Sequence, residues 1–249
     1  MRKSIFLSSL AALSRIAEKV RAVKGKPVDV RFAGVRFTGD AELEQLWETP
    51  DEAAVKFFRG KGVVLSSEFR EVLDEFARVR AFTIARVNEL SAIEAIQDVL
   101  GKAIEEGWTR TAFLEEVAGL AELSPFRWET IFRTNTATAF SASKWAGVQE
   151  AEEYLPHLKY VGISDGRERH GAFFGTVLPV GDPFWDKYWP PNGYNCRCDV
   201  VSVSRFEIEK GYERISNRSR IVARNIDKGF DVNVGKVIYQ DRDFNYGVE

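Results

Sequence analysis

The sequence predicts an α+β protein: a mainly helical N-terminal region followed by a compact α+β unit with a few short strands. Three observations carry this. From Pro50, apolar residues recur at helical spacing for about a hundred residues. Beyond Tyr154 the chain changes to short aromatic, glycine- and proline-rich segments that alternate like strands. Both cysteines then fall in one turn-rich stretch, Pro190-Pro191-Asn192-Gly193-Tyr194-Asn195-Cys196-Arg197-Cys198.

Four segments follow from the texture: 1–49, an amphipathic helix and extended arm; 50–123, helical; 124–211, the α+β unit; and 212–249, a polar tail with a basic helix. In the first, Met1-Arg2-Lys3 precedes an apolar run like a short signal peptide. However, Phe6, Leu10, Leu13, Ala17 and Val20 fall at helical spacing among charges, and no small-x-small cleavage site follows. The expectation is an amphipathic helix. Val28, Val30 and Phe32, then Val35 and Phe37, alternate around Gly34 as a short strand or extended arm.

In the second segment Phe69, Val72, Leu73, Phe76, Val79 and Phe82 mark one helical face. Ser91 with Glu94 reads as a capping box opening a helix whose inner face is Ile93, Ile96, Leu100, Ala103 and Ile104. Gly107 ends it, and Thr109 caps a helix with Phe113, Leu114, Val117 and Leu120 inward.

Ser124-Pro125 starts the third segment, a serine cap with proline at the first helical position. The helix runs to about Glu153 with Trp128, Ile131, Phe132, Asn135, Ala139, Ala142 and Trp145 on one side. Its middle, Thr134 to Ala142, is small-sided, so another element can approach closely. Strands are expected at Leu158–Ile163, Phe173–Leu178 and Asp199–Val203, with Asp165-Gly166 as a turn and Ser204 with Glu207 as a capping box. Trp128 and Trp145 sit at core spacing. The run Phe184 to Trp189 is too aromatic for a loop in water and either covers a core or docks on another chain. In the tail Arg214, Arg218, Arg220, Arg224 and Lys228 share one arc of a helical wheel, suited to an acidic partner or a DNA backbone.

Composition excludes several classes. Thirty-five basic against thirty-seven acidic residues give no global pull toward nucleic acid or an anionic membrane. No run approaches the about 20 apolar residues of a membrane span. Two cysteines one residue apart make no disulfide framework, which fits a reducing compartment such as cytoplasm.

Chemistry concentrates between Asp165 and Cys198. Cys196, Cys198 and His170, with Asp165 or His157, offer thiolate and imidazole ligands suited to zinc. Also open is a packing role for the cysteines as small buried hydrophobes, with His170 bonded to the turn. Cysteines one residue apart point the same way on a loop but not along a strand, where Arg197 shares the alternation. Catalysis is a third reading, with Asp165, Arg167, His170 and a thiol as base, anion clamp and nucleophile. Against it stand the absence of an elbow motif and of a glycine-rich phosphate cradle.

An ordered series of residues resembles the Mu F-like minor head proteins of tailed phages, also called phage head morphogenesis proteins. It comprises Arg133-Thr134 on a helix, the strand Tyr160–Ile163, then Asp165, Arg167 and His170. Gly171, Gly175, Pro183-Phe184-Trp185, and Pro190-Pro191-Asn192-Gly193 leading through Asn195 into Cys196-Arg197-Cys198 follow. Gly229 to Gly235 is similar to the family's closing segment, with Val234 where proline is common, and Arg169 replaces a proline common before the histidine.

The resemblance spans roughly Ala53 to Gly235. It implies a non-enzymatic minor capsid protein of a phage or prophage virion head, made in the host cytoplasm. The implied partners are portal protein, capsid or scaffold protein and viral genomic DNA, with no membrane, and the implied work is assembly and DNA packaging or retention. No cofactor is implied, zinc being the exception left open by the residues themselves. Some members carry an added toxin or nuclease domain, for which the stretch after Gly235 is expected to be too short. Two rivals stay open: a metal-dependent nuclease or toxin-like enzyme using Asp165, His170, Cys196 and Cys198, and a zinc-stabilised DNA-binding module.

Overall fold

A computed structural model describes residues 30–32, 35–37, 51–71, 78–79, 81–162, 170–217 and 226–240. They form the expected α+β fold, divided into two compact units that interleave along the chain. One unit takes residues 1–49, 147–182 and 199–222; the other takes 50–146, 183–198 and 223–249. The units therefore cut across the four segments of the sequence.

In the first unit, Val30–Phe32 (β1) and Val35–Phe37 (β2) pair antiparallel, with Phe32 opposite Val35. The expected N-terminal helix and Val28 lie outside the described residues. A three-stranded antiparallel sheet has His157–Val161 (β5) at its centre, flanked by Val177–Pro179 (β6) and Asp199–Val203 (β7). Leu158 stands opposite Leu178 and Ser202, and Tyr160 opposite Val200. Alternation places Leu158, Tyr160 and Val200 on one buried face, while Val203, opposite His157, is buried although it falls on the other. The expected strand Phe173–Leu178 forms only from Val177. Before it, Gly171–Phe173 is a 3-10 turn and Gly175 sits at φ 80°. That left-handed residue turns the chain back so that Gly175 N–H donates to the Tyr160 carbonyl at 2.9 Å. Ser204 and Glu207 form the capping box of Arg205–Glu209 (α7), as their spacing requires. The Asp165-Gly166 turn lies outside the described residues.

The second unit holds the larger core. Glu52–Arg59 (α1) is capped by Asp51, whose carboxylate accepts from Ala54 N–H and the Ser143 hydroxyl. Gly62–Val63 (β3) and Ala81–Phe82 (β4) make a small parallel pair around Ser66–Glu71 (α2). Phe82 is therefore a strand residue, not part of a helical face, although it is buried as expected. Val72, Leu73 and Phe76 of that face lie outside the described residues.

Leu90–Glu105 (α3) begins earlier than its predicted cap. Glu89 takes the cap position without a side-chain bond, and Ser91 lies inside the helix, exposed. Its predicted face, Ile93, Ile96, Leu100, Ala103 and Ile104, is fully buried. Gly107, at φ 72°, is the expected left-handed terminator. Thr109 caps Arg110–Glu116 (α4), accepting from Ala112 N–H.

The long helix Pro125–Ala151 (α5) starts at Ser124, which accepts from Arg127 N–H. Trp128, Ile131, Phe132, Ala139, Ala142 and Trp145 are buried along it, and Phe113 stacks on Phe132 at 5.0 Å between ring centres. Phe184–Tyr188 (α6) answers the open choice about the aromatic run: Phe184, Trp185 and Trp189 are core, and Trp189 meets Trp145 edge-on at 4.9 Å. Val234–Gln240 (α8) closes the unit. None of the helices among the described residues is long and apolar enough to cross a membrane.

Two outcomes follow from this packing. A Cβ on Gly235 would overlap the Trp145 Cβ and lie 3.1 Å from the Ala142 carbonyl oxygen. Gly235→Ala is therefore expected to destabilise the protein by about 1–3 kcal/mol, read from chemical denaturation.

Lys61, with its ammonium 4.7 Å over the Phe57 ring, is pushed by burial from 10.5 down to about 8. Protonation thus favours the unfolded chain, so this lysine costs stability fully below about pH 8 and progressively less as pH rises toward 10.5. Lys61→Met is expected to raise the melting temperature at pH 7, and the gain should shrink across that window.

Candidate functional site

The segment singled out by the sequence is a loop without regular structure between α6 and β7, held against the small-sided middle of α5. The peptide between Pro190 and Pro191 is cis. Such a loop places polar backbone groups indoors, and each needs a partner.

Asn192 supplies several. It is fully buried, and its carboxamide Nδ2 faces the carbonyls of Trp189 at 3.3 Å, Phe230 at 3.4 Å and Lys187 at 3.5 Å. Its own carbonyl accepts from Asp227 N–H at 3.1 Å, and the Asp227 carboxylate accepts from Tyr194 N–H at 2.9 Å. One carboxamide and one carboxylate thereby tie the loop to residues 227–230.

Asn195 makes the second anchor. At φ 55° it adopts the left-handed conformation that asparagine tolerates better than most residues. Its Nδ2 donates to the Thr130 hydroxyl at 2.9 Å, and its N–H donates to the Thr134 hydroxyl at 3.2 Å. The Thr130 hydroxyl in turn donates to the Phe126 carbonyl one helical turn back, leaving its lone pairs for the loop. Further along α5 the Ser141 hydroxyl donates to the Pro190 carbonyl, and Trp189 Nε1 donates to the Ser141 carbonyl at 3.2 Å. The small side chains of this helix are what let the loop lie so close.

The closing segment docks on the same framework. Asn233, 1% exposed, donates through Nδ2 to the Trp185 carbonyl at 3.1 Å, while its Oδ1 accepts from Lys236 N–H at 3.0 Å. It therefore caps α8 with one end of its side chain and binds α6 with the other. Lys236 pairs with Asp186.

The cysteines follow the anchored turn. Cys196 N–H donates to the Gly193 carbonyl, and β7 begins only at Asp199, so Cys196, Arg197 and Cys198 are not strand residues. Both cysteines are thiols, half-buried, with their sulfurs within 4.8 Å of each other. Arg197 between them is half-buried.

His170 belongs to the other unit. It is 3% exposed and precedes the 3-10 turn, where its carbonyl accepts from Phe173 N–H and its ring stacks over Phe173 at 6.5 Å. His157 lies at the start of β5. Burial first, and then the Arg205 cation, hold it below the ordinary imidazole value. Asp165 and Arg167 lie outside the described residues.

Arg133 has a structural position. It pairs with Glu129 one turn back at 2.7 Å, and Glu129 also meets Arg110 at 3.0 Å. The basic tail differs from its expected form. Arg214 and Lys228 are exposed but lie in non-helical backbone, so no single helix presents all five cations. Arg218, Arg220 and Arg224 lie outside the described residues.

Sequence reading missed Thr130, Ser141, Asp227 and Asn233 as anchors, and Asn192 as a buried polar hub. The one available signal was the row of hydroxyls at helical spacing on α5, which marks a face able to accept hydrogen bonds. Their partners are 38 to 65 residues away in sequence for Asn192 to Phe230, Ser141 to Pro190 and Thr130 to Asn195.

Fold and site together define an α+β protein in which the polar residues of the marked segment are spent on holding one loop to one long helix. Residues 94–201, from within α3 to within β7, match the family described as Phage Mu protein F like protein, the family that the sequence resembles. The putative capsid assembly protein F of Escherichia phage Mu is 31% identical over 213 residues, 76% of this chain and 48% of that protein. A Mu-like prophage FluMu F protein of Haemophilus influenzae is 29% identical over 185 residues, 66% of this chain and 45% of that protein. The chain thus spans about half the length of the curated relatives it matches. No solved structure matches it.

The anchors give an ordered series of variants. Asn195→Ala loses the Thr130 bond and places a Cβ-bearing residue in the left-handed region, an expected cost of about 2 kcal/mol. Asn195→Gly loses the bond but not the conformation and is expected to cost about 1 kcal/mol. Equilibrium urea unfolding should rank alanine below glycine; the reverse order would mean that the backbone conformation is not what asparagine supplies.

Proposed function

We propose that this chain acts in phage head morphogenesis as a minor head component, without catalysis of its own. The observation that carries the reading is the 31% identity across most of the chain to a protein named as a putative capsid assembly protein. The site supports it chemically. Asn192, Asn195, Asp227 and Asn233 all serve hydrogen bonds within the fold, which is how polar residues are used when they specify a structure rather than a reaction.

The finer reading is association with the portal and with capsid or scaffold protein, and a part in packaging or retaining viral DNA. Exposed aromatic residues suit protein contact: Phe126 at 73% and Tyr194 at 54% in one unit, Tyr154 at 72% and Tyr212 at 67% in the other. Arg214 and Lys228 are exposed cations available to a phosphate backbone.

The test is to co-express the chain with the portal and capsid genes of its own genetic element. Co-purification with portal rings is expected, and omission of the chain should lower the yield of DNA-filled heads. Normal heads without it, together with no binding to any head component, would overturn the proposal. Purified protein with added divalent metal should leave DNA uncut; cleavage lost in His170→Ala would instead favour the nuclease reading.

A further inference from the structure

We propose that Cys196 and Cys198 hold a zinc ion. The proposal stands apart from the assembly reading, because it concerns what fixes the loop and not what the loop's surface meets.

Two thiolates on one tetrahedral zinc, each about 2.3 Å from the metal, lie about 3.8 Å apart. The sulfurs here are already within 4.8 Å, so small side-chain rotations close the remaining gap. Neighbouring-but-one residues reach this arrangement because the backbone is not a strand at this point. The left-handed Asn195 and the turn from Gly193 to Cys196 come immediately before, and β7 starts immediately after.

The pair is also pre-positioned. Asn195 is bonded to Thr130 and Thr134, Asn192 to three carbonyls, and Tyr194 N–H to Asp227, so metal binding has little loop ordering left to do. Cysteines that serve only as small apolar packing groups are among the most deeply buried residues, whereas both of these keep partial solvent access. A bound ion explains why two thiols stand side by side at partly accessible positions. The two thiolates are the protein ligands of the proposal, and water completes the tetrahedron.

The experiment uses the full chain, produced with zinc supplementation and kept reduced. Elemental analysis is expected to give about one zinc per chain, falling to near none in Cys196→Ser and Cys198→Ser. Because a serine variant can fail to fold, wild-type protein is also reconstituted with cobalt. Sulfur-to-cobalt charge-transfer absorption is expected, and chelation should lower the melting temperature. Wild-type protein that retains no metal and shows no such absorption overturns the proposal. Undiminished zinc in the double serine variant overturns it as well. Neither result bears on head assembly, which is scored on particles.

Discussion

Two carboxamides decide whether the second unit can close. The loop from Trp189 to Cys198 has no helix or strand to satisfy its backbone, yet Pro190, Asn192 and Gly193 within it are buried. Buried peptide groups left unpaired would cost about as much as lost hydrogen bonds, and a few such losses equal a typical net stability. Asn192 offsets part of that cost by donating through one carboxamide to the carbonyls of Lys187, Trp189 and Phe230, and Asn195 ties its N–H and its carboxamide to two hydroxyls of α5. The Thr130 hydroxyl completes the arrangement by binding its own helix and the loop at once, and the Thr134 and Ser141 hydroxyls reach the loop beside it. Bulkier side chains there would hold the loop off and break every one of these distances.

A segment that first draws attention for its chemistry is thus explained mainly by architecture. Arg133 serves an ion-pair chain with Glu129 and Arg110, Gly175 a left-handed turn, and Asn195 a helix-to-loop tie. None needs a substrate to account for its identity. The resemblance to capsid assembly proteins agrees with that pattern, since a protein whose work is to be held among other proteins needs a fixed shape before it needs a reactive group. The thiols are the exception: packing alone does not account for two of them at partial exposure.

The parts of the structure legible from sequence were those governed by local rules. Periodicity found the buried face of α3, and cap chemistry found Thr109, Ser124 and the Ser204–Glu207 box. Local rules failed where a nonlocal partner decided. Ser91 has the spacing of a cap, but the helix starts two residues earlier and Glu89 takes its place. Phe82 fits a helical stripe, but pairing of Val63 with it draws it into a strand. Phe173 to Leu178 alternates acceptably, but Gly175 with Thr176 turns back on Tyr160 before the strand begins. For the site, the residue types and the loop were visible; that Asn192 reaches Phe230 and Asn233 reaches Trp185 was not, because no spacing rule connects residues so far apart.

Those separations have a consequence for how the chain matures. A ribosome delivers α5 long before it delivers the loop, and the loop before Asp227, Phe230 and Asn233. During that interval the Trp185 and Asn192 carbonyls and the Asn192 carboxamide have no closing segment to meet. Helix and loop can find each other early, but the unit gains its full cooperativity only when the stretch through Val237 has been released. Closing contacts of this range are slow to form and reward the chain late. The nascent protein therefore passes through a stage in which its aromatic core is assembled but still uncovered on the side that α8 will occupy.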